Sequence, residues 1–140
     1  MHYGTDEQKQ HYLPRMATGE VRGAFSMSEP GCGSDVAAIT SKAVRDGEDF
    51  VLNGQKMWLT NGGSSTLVAV LVLTPGEADA DVSIYKRMTT FLIEKPAGFG
   101  EVRPGLTIPG KIEKMGYKGV DTTELVMDDL RLPATDILGG

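Results

Sequence analysis

From Val21 onward the chain breaks into short runs rich in β-branched and aromatic residues: Val21–Ser28, Ile39–Val44, Asp49–Leu52, Lys56–Thr60, Leu67–Thr74, Thr89–Glu94 and Thr122–Leu132. Turn-forming residues separate them, and no long helical pattern alternates with them, which argues against a parallel α/β sheet. The pattern predicts a mainly β, mostly antiparallel domain of barrel-like or sandwich-like form. Asp46-Gly47 and Asn53-Gly54 read as two-residue hairpin turns, because such dipeptides accept positive φ, so the strands around them are expected to form a three-stranded meander. Pro75–Arg87 reads as an exposed loop and Gly98–Gly119 as a long irregular excursion.

The strands are preceded by a helical stretch. Thr5 and Gln8 have the spacing of a capping box, in which a hydroxyl and an amide reciprocally satisfy free backbone N–H groups. Pro14 suits the first turn of a helix better than its interior, so a second short helix is expected over Leu13–Thr18. Tyr12, Leu13 and Met16 need an apolar partner that so short a segment cannot supply for itself.

Composition removes several function classes. The 18 glycines and 7 prolines are scattered as turn punctuation, and a net charge of −5 with no basic stripe argues against nucleic acid. The apolar run Leu67–Leu73 is far too short to span a membrane, and the start of the chain lacks a signal-peptide pattern. The single cysteine, Cys32, excludes an intrachain disulfide and fits a reducing compartment; His2 and His11 alone cannot build a metal site, so no metal is expected. These features fit a cytoplasmic protein.

Two motifs carry chemistry. Phe25-Ser26-Met27-Ser28-Glu29-Pro30-Gly31-Cys32-Gly33-Ser34-Asp35 runs from a strand into a loop of small and hydroxylated residues. Gly31 and Gly33 would let backbone N–H groups approach an anion, with hydroxyls from Ser28 and Ser34, although an ordinary turn uses the same residues. It is not a dinucleotide fingerprint, since Val36 stands where the third glycine belongs. The second motif, Lys56-Met57-Trp58-Leu59-Thr60-Asn61-Gly62-Gly63, puts the sole tryptophan near a strand end. Trp58 either packs or stacks on a flat ligand, and strand alternation gives Thr60 the same face. Gly105–Ile112 imitates a nucleotide-binding P-loop, but Ile112 lacks the hydroxyl that would hold Mg²⁺.

Taken in order, Glu7-Gln8-Lys9, Tyr12-Leu13-Pro14, Gly19-Glu20, Ser28–Asp35, Asn53–Asn61, Lys114-Met115-Gly116 and Asp121-Thr122 closely resemble acyl-CoA dehydrogenases, and the closing stretch with Leu130–Pro133 and Leu138-Gly139 does so too. The resemblance implies residues 1–20 as the tail of an N-terminal helical domain, 21–133 as a middle β-domain binding FAD and acyl-CoA, and 134–140 as the start of a linker to a C-terminal helical domain. It implies that Phe25, Ser26, Met27 and Ser28 line the flavin, and that Ser34 serves the pyrophosphate or the CoA. Trp58 and Thr60 would contact the isoalloxazine, with Leu59 offering backbone. Cys32 departs from the alanine common at its position. The implied reaction is α,β-dehydrogenation of an acyl-CoA thioester. The implied catalytic carboxylate belongs to the C-terminal helices, so no residue here is assigned as the base. The implied acceptor is an electron-transferring flavoprotein, the implied parent a homo-oligomer, and a eukaryotic parent would be mitochondrial. An acyl-CoA oxidase or a non-catalytic binding module would share these motifs.

Overall fold

The computed structural model describes residues 2–76 and 82–140. One helix, α1 (Asp6–Ala17), precedes eight strands: β1 (Gly23–Ser26), β2 (Lys42–Asp46), β3 (Asp49–Thr60), β4 (Leu67–Leu73), β5 (Met88–Glu94), β6 (Gly100–Arg103), β7 (Leu106–Ile108) and β8 (Thr122–Pro133). They form a curled mixed sheet in the order β1-β4-β2-β3-β8-β7-β6, with β5 on β4. Most pairings are antiparallel, but β1 runs parallel to β4 and β2 touches β4 in parallel through Lys42 and Leu73. The mainly β expectation thus holds.

The inward residues explain why the sheet curls around one core. Phe50 and Leu52 of β3, Val68, Val70 and Val72 of β4, Phe91 and Ile93 of β5, and Leu125, Met127, Leu130 and Leu132 of β8 are buried together. Phe50 and Phe91 meet edge to face with centroids 5.3 Å apart, a geometry that suits the ring quadrupoles.

Asp46-Gly47 marks a hairpin as expected, but the turn falls one residue later, with Asp46 still paired in β2. The turn is Gly47–Glu48, between the paired Asp46 and Asp49, and Gly47 has φ +66° at the first central position, where a type II′ hairpin places glycine. Asn53-Gly54 does not turn the chain, so the expected meander is replaced by a continuous β3. Here glycine serves a close approach instead: Gly54 has φ +144°, and a Cβ would overlap the side chain of buried Ser41. Gly54→Ala is therefore expected to cost about 3 kcal/mol or more through combined strain and overpacking, read from urea unfolding at constant slope.

Beside that glycine the β3–β8 ladder slips twice. Asp128 and Asp129 of β8 stand opposite Asn53 alone, and Met57 and Trp58 of β3 stand opposite Glu124 alone. Each is a β-bulge, one per strand, and the second cancels the one-residue offset of the first. Asn53 stabilises the first bulge, its amide donating to the Asp129 carboxylate at 2.9 Å and its carbonyl accepting the Asp129 N–H at 2.8 Å.

Two further expectations are corrected. Pro14 lies inside a single helix instead of starting a second one. The i+4 donor it removes belongs to the carbonyl of Gln10, which is exposed and open to solvent. The Gly98–Gly119 stretch contains β6 and β7, and Lys111 bridges to Thr123, because buried Leu106 and Ile108 complete the core. Of the loop expected at Pro75–Arg87, residues 77–81 lie outside the described residues, and Ile84–Arg87 forms a short 3-10 turn.

The capping box forms as read: Gln8 N–H donates to the Thr5 hydroxyl and Thr5 N–H to the Gln8 amide oxygen. Gln8 also reaches the far end of the chain, donating to Ile137 O at 2.7 Å and accepting from Gly139 N–H at 3.1 Å. Tyr12 finds its partner in the cluster of Val21, Leu67, Leu92 and Leu138, while Leu13 and Met16 stay exposed.

Candidate functional site

Inward positions on β3 alternate from Phe50 through Leu52 to Lys56, after which strict alternation would turn Trp58 inward and Leu59 outward. The Met57–Trp58 bulge reverses this. Trp58 takes φ +65°, stands 55% exposed, and leaves Leu59 buried at 1%. A bulky residue in the left-handed region is strained, and such strain collects at sites where the surroundings enforce it. Thr60 is exposed on the same side as Trp58, as expected.

The bulge also frees a donor. Met57 N–H donates to Ser28 O at 2.9 Å, which brings the end of the β1 segment beside Trp58. Directly below, the Lys56 ammonium donates to Met27 O at 3.0 Å and to Glu29 Oε1 at 2.8 Å. Both side chains of this ion pair are buried, at 0% and 4% exposure. The same Glu29 carboxylate accepts the N–H and hydroxyl of Thr40 and the N–H of Ser41. Glu29 and Cys32 exchange backbone hydrogen bonds at 2.9 and 3.1 Å, closing the loop on itself.

Burial by itself would raise the Glu29 pKa, but hydrogen bonds from Lys56, Ser41 and Thr40 outweigh it and hold the carboxyl down to about 2. Burial pulls Lys56 below an ordinary lysine, opposed by its bond to Glu29. The carboxyl of the unfolded chain titrates near 4.5, above the folded value, so the unfolded state binds the extra proton between them. Glu29 therefore contributes stability that is complete above about pH 4.5 and lost as pH falls towards 2, on the order of 3 kcal/mol. Unfolding free energies measured across that window are expected to slope downwards with acid in the wild type and to flatten in Glu29→Gln.

The structure sorts the residues singled out from sequence. Phe25, 59% exposed, and Trp58 are open aromatic faces on the two joined segments, with Met27 and Ser28 half-buried between them and Thr60 exposed beyond. Ser26, at 2% exposure, and Leu59 turn their side chains inward and offer a ligand backbone only. Ser34 is exposed on the loop and makes no hydrogen bond among the described residues. Gly31 and Gly33 have neither positive φ nor any atom within 4 Å of a built Cβ, so packing within the chain gives no reason for glycine there. These features fit a flat ring with an attached phosphate: open aromatic faces, nearby hydroxyls and an unobstructed backbone. Cys32 is a half-buried free thiol.

Sequence reasoning missed the Lys56–Glu29 pair. The signal was present, since Lys56 shares the inward register of Phe50 and Leu52, and a lysine there requires a buried anion. It also missed the anchoring of the turn after Asn61. Gly62 and Gly63 are buried, and a Cβ on Gly62 would overlap the hydroxyl of Thr123. Asp121 accepts the N–H of Ser64, and buried Lys95 donates to Ser65 O at 2.8 Å. Cavities under α1, of about 210 Å³, and beside Lys95, of about 350 Å³, lie elsewhere, while one of about 360 Å³ opens beside the bulge between Met57, Glu124 and Pro109–Ile112; Phe25–Ser28 and Trp58–Thr60, with Phe25, Trp58 and Thr60 exposed, form an open wall. Among the described residues there is no cluster of three potential metal ligands and no helix long and apolar enough to cross a membrane.

The wall has close counterparts. The chain is 42% identical over 139 residues to a very long-chain specific acyl-CoA dehydrogenase of mitochondria from Rattus norvegicus, covering 98% of this chain and 20% of that protein. It superposes on an acyl-CoA dehydrogenase from Geobacillus kaustophilus with a TM-score of 0.86 at 37% identity, covering 99% of this chain and 34% of that one. A glutaryl-CoA dehydrogenase from Mycobacterium smegmatis in complex with FADH2 matches with a TM-score of 0.80 at 36% identity, covering 97% and 31%. The chain thus spans between a fifth and about a third of these relatives. The family described as "Acyl-CoA dehydrogenase, middle domain" matches residues 24–130, which includes both halves of the wall. This chain belongs to the acyl-CoA dehydrogenase family, and residues 24–130 are its middle domain.

Proposed function

We propose that this chain is the FAD- and acyl-CoA-binding wall of an enzyme that dehydrogenates an acyl-CoA thioester between its α and β carbons. The observation that carries the reading is two exposed aromatic side chains, Phe25 and Trp58, on segments joined by the Met57–Ser28 hydrogen bond, with Trp58 kept outward at φ +65°. When bound, FAD supplies the acceptor for the hydride that leaves the β-carbon. Phe25, Met27 and Trp58 bear on the face of the flavin and exclude water from it. The Ser28 and Thr60 hydroxyls hydrogen-bond at its polar edge, with backbone from Ser26 and Leu59, and Ser34 with the Gly31–Gly33 backbone serves the pyrophosphate or the CoA phosphates.

In this reading the carboxylate that takes the α-proton comes from a C-terminal helical domain. Glu29 is unsuited to the task, because Lys56, Thr40 and Ser41 occupy its oxygens and it is buried. Residues 1–20 are the end of an N-terminal helical domain, 21–133 the flavin-binding unit and 134–140 the lead into the C-terminal helices. The parent is a homo-oligomer that passes electrons to an electron-transferring flavoprotein, in the cytoplasm or, in a eukaryote, the mitochondrial matrix.

The chain is expected to bind FAD weakly and to give no acyl-CoA-dependent dye reduction, because it supplies one side of the cofactor site. Purified protein tests both points by FAD fluorescence titration and by turnover with a series of acyl-CoAs. Robust turnover would overturn the assignment of the base to another domain. Oxygen consumption with peroxide release by the complete parent would instead make it an oxidase.

A further inference from the structure

On the reading above, two segments distant in sequence must stand at one spacing to receive a flat ring, yet the sheet connects them only indirectly, through β4 and β2. β1 is laddered to β4, whereas Trp58 sits on β3, whose ladder partners are β2 and β8. At Trp58 even that ladder is interrupted by the bulge. What joins the two halves is the Met57–Ser28 hydrogen bond and, beneath it, the Lys56 ammonium bonded to Met27 O and Glu29. Lys56 lies two residues before Trp58, and Glu29 one residue after Ser28.

We propose that Glu29 and Lys56 are positioning residues for the flavin-facing wall: their buried ion pair fixes where Trp58 stands relative to Phe25–Ser28. The inference rests on the flavin-facing reading for its purpose, but its geometry stands on the chain alone. A buried ion pair is a poor source of net stability, because apolar side chains of similar volume often serve as well. It differs from apolar packing in direction. The ammonium is aimed at two acceptors, and the carboxylate is aimed at donors on two segments, Lys56 of β3 and the adjacent Thr40 and Ser41, with its own loop closed by Cys32. Such a junction has one arrangement, whereas an apolar contact tolerates sliding. At the bulge Met57 and Trp58 share one opposite residue, Glu124, so the direct ties from this end of β3 to Met27–Glu29 are the hydrogen bonds of Lys56 and Met57.

Because Trp58 is the sole tryptophan, its emission reports on this place alone. The 140-residue chain would be prepared as wild type, Glu29→Gln, Lys56→Met and the double variant, with Arg131→Ala, which breaks the exposed pair with Asp46, as a control. Each would be confirmed as folded by circular dichroism well below its unfolding midpoint. Glu29→Gln keeps the side-chain shape and carries the test if Lys56→Met does not fold. The expected result is a changed Trp58 emission maximum and acrylamide quenching in the folded pair variants, FAD affinity weaker by about tenfold or more, and no change in the control. A pair that served stability alone would leave the Trp58 signal of the folded variants at its wild-type value, and that outcome overturns the proposal. If the wild type binds no FAD, or Trp58→Ala binds it equally well, the flavin-facing reading fails, while the Trp58 signal still decides the positioning role.

Discussion

Lys56→Met is expected to lower the unfolding free energy by about 3–5 kcal/mol, a large share of the total for a domain of this size. The mechanism is the charge left behind. The Glu29 carboxylate, 4% exposed, would keep its bonds to Thr40 and Ser41 but lose its ion-pair partner. Met27 O would lose a donor at the same time. Replacing Glu29 with glutamine in the same molecule removes the stranded charge, so the double variant is expected to be more stable than Lys56→Met alone. A double-mutant cycle by urea unfolding should return a coupling of about 1–3 kcal/mol. Strict additivity would mean that the two groups do not act as a pair. The loss in the single variant should shift the thermal midpoint by roughly 10 °C or more.

Trp58 provides a second, opposite separation of stability from binding. Removing the ring, as Trp58→Ala or Trp58→Gly, is expected to weaken FAD binding by about 1–3 kcal/mol, the range for stacking on an exposed aromatic. The two variants should nevertheless differ in stability. Alanine ordinarily equals or exceeds glycine in a strand, but at φ +65° the order reverses, because only glycine occupies the left-handed region freely. The glycine variant is expected to be the more stable by about 1 kcal/mol while binding flavin no better. Paired urea melts and FAD titrations would check this. Equal stability would mean that the Trp58 backbone is not strained, and retained affinity would return the ring to a packing role.

Much of this fold was legible because strand pattern and turn chemistry are local. Residues from Leu67 to Leu73 could be little else than a buried strand, and Gly47 sits in the hairpin that Asp46-Gly47 announced. Asn53-Gly54 misled for a tertiary reason: the same permissive backbone that allows a turn also allows close packing on Ser41, and nothing local distinguishes the two. β6 and β7 were hidden because they are short, β6 starts at Gly100 and Pro104-Gly105 separates them, while Leu106 and Ile108 gain their burial from β8. At the site, the aromatic and hydroxyl side chains were legible by type. Ser26 and Leu59 were named without their inward orientation, and the Lys56–Glu29 pair lay across 27 residues, beyond the reach of local pattern. Alternation gave Thr60 the face of Trp58, but the outward stance of Trp58 was not legible, because it comes from the bulge.

The two opposed bulges behave like a pair of compensating frameshifts. The displaced reading frame runs only from Gly54 to Lys56 on β3, opposite Leu125 to Met127, and the register on either side is the same. A deletion of one residue at Trp58 would remove the second bulge and leave Leu59 opposite Thr123 and Thr60 opposite Thr122, and a deletion at Asp129 would likewise remove the first and leave Gly54 opposite Met127. The residue count at either bulge can therefore change without shifting the pairs around it, which leaves the Trp58 end of this surface room to vary on an otherwise fixed frame.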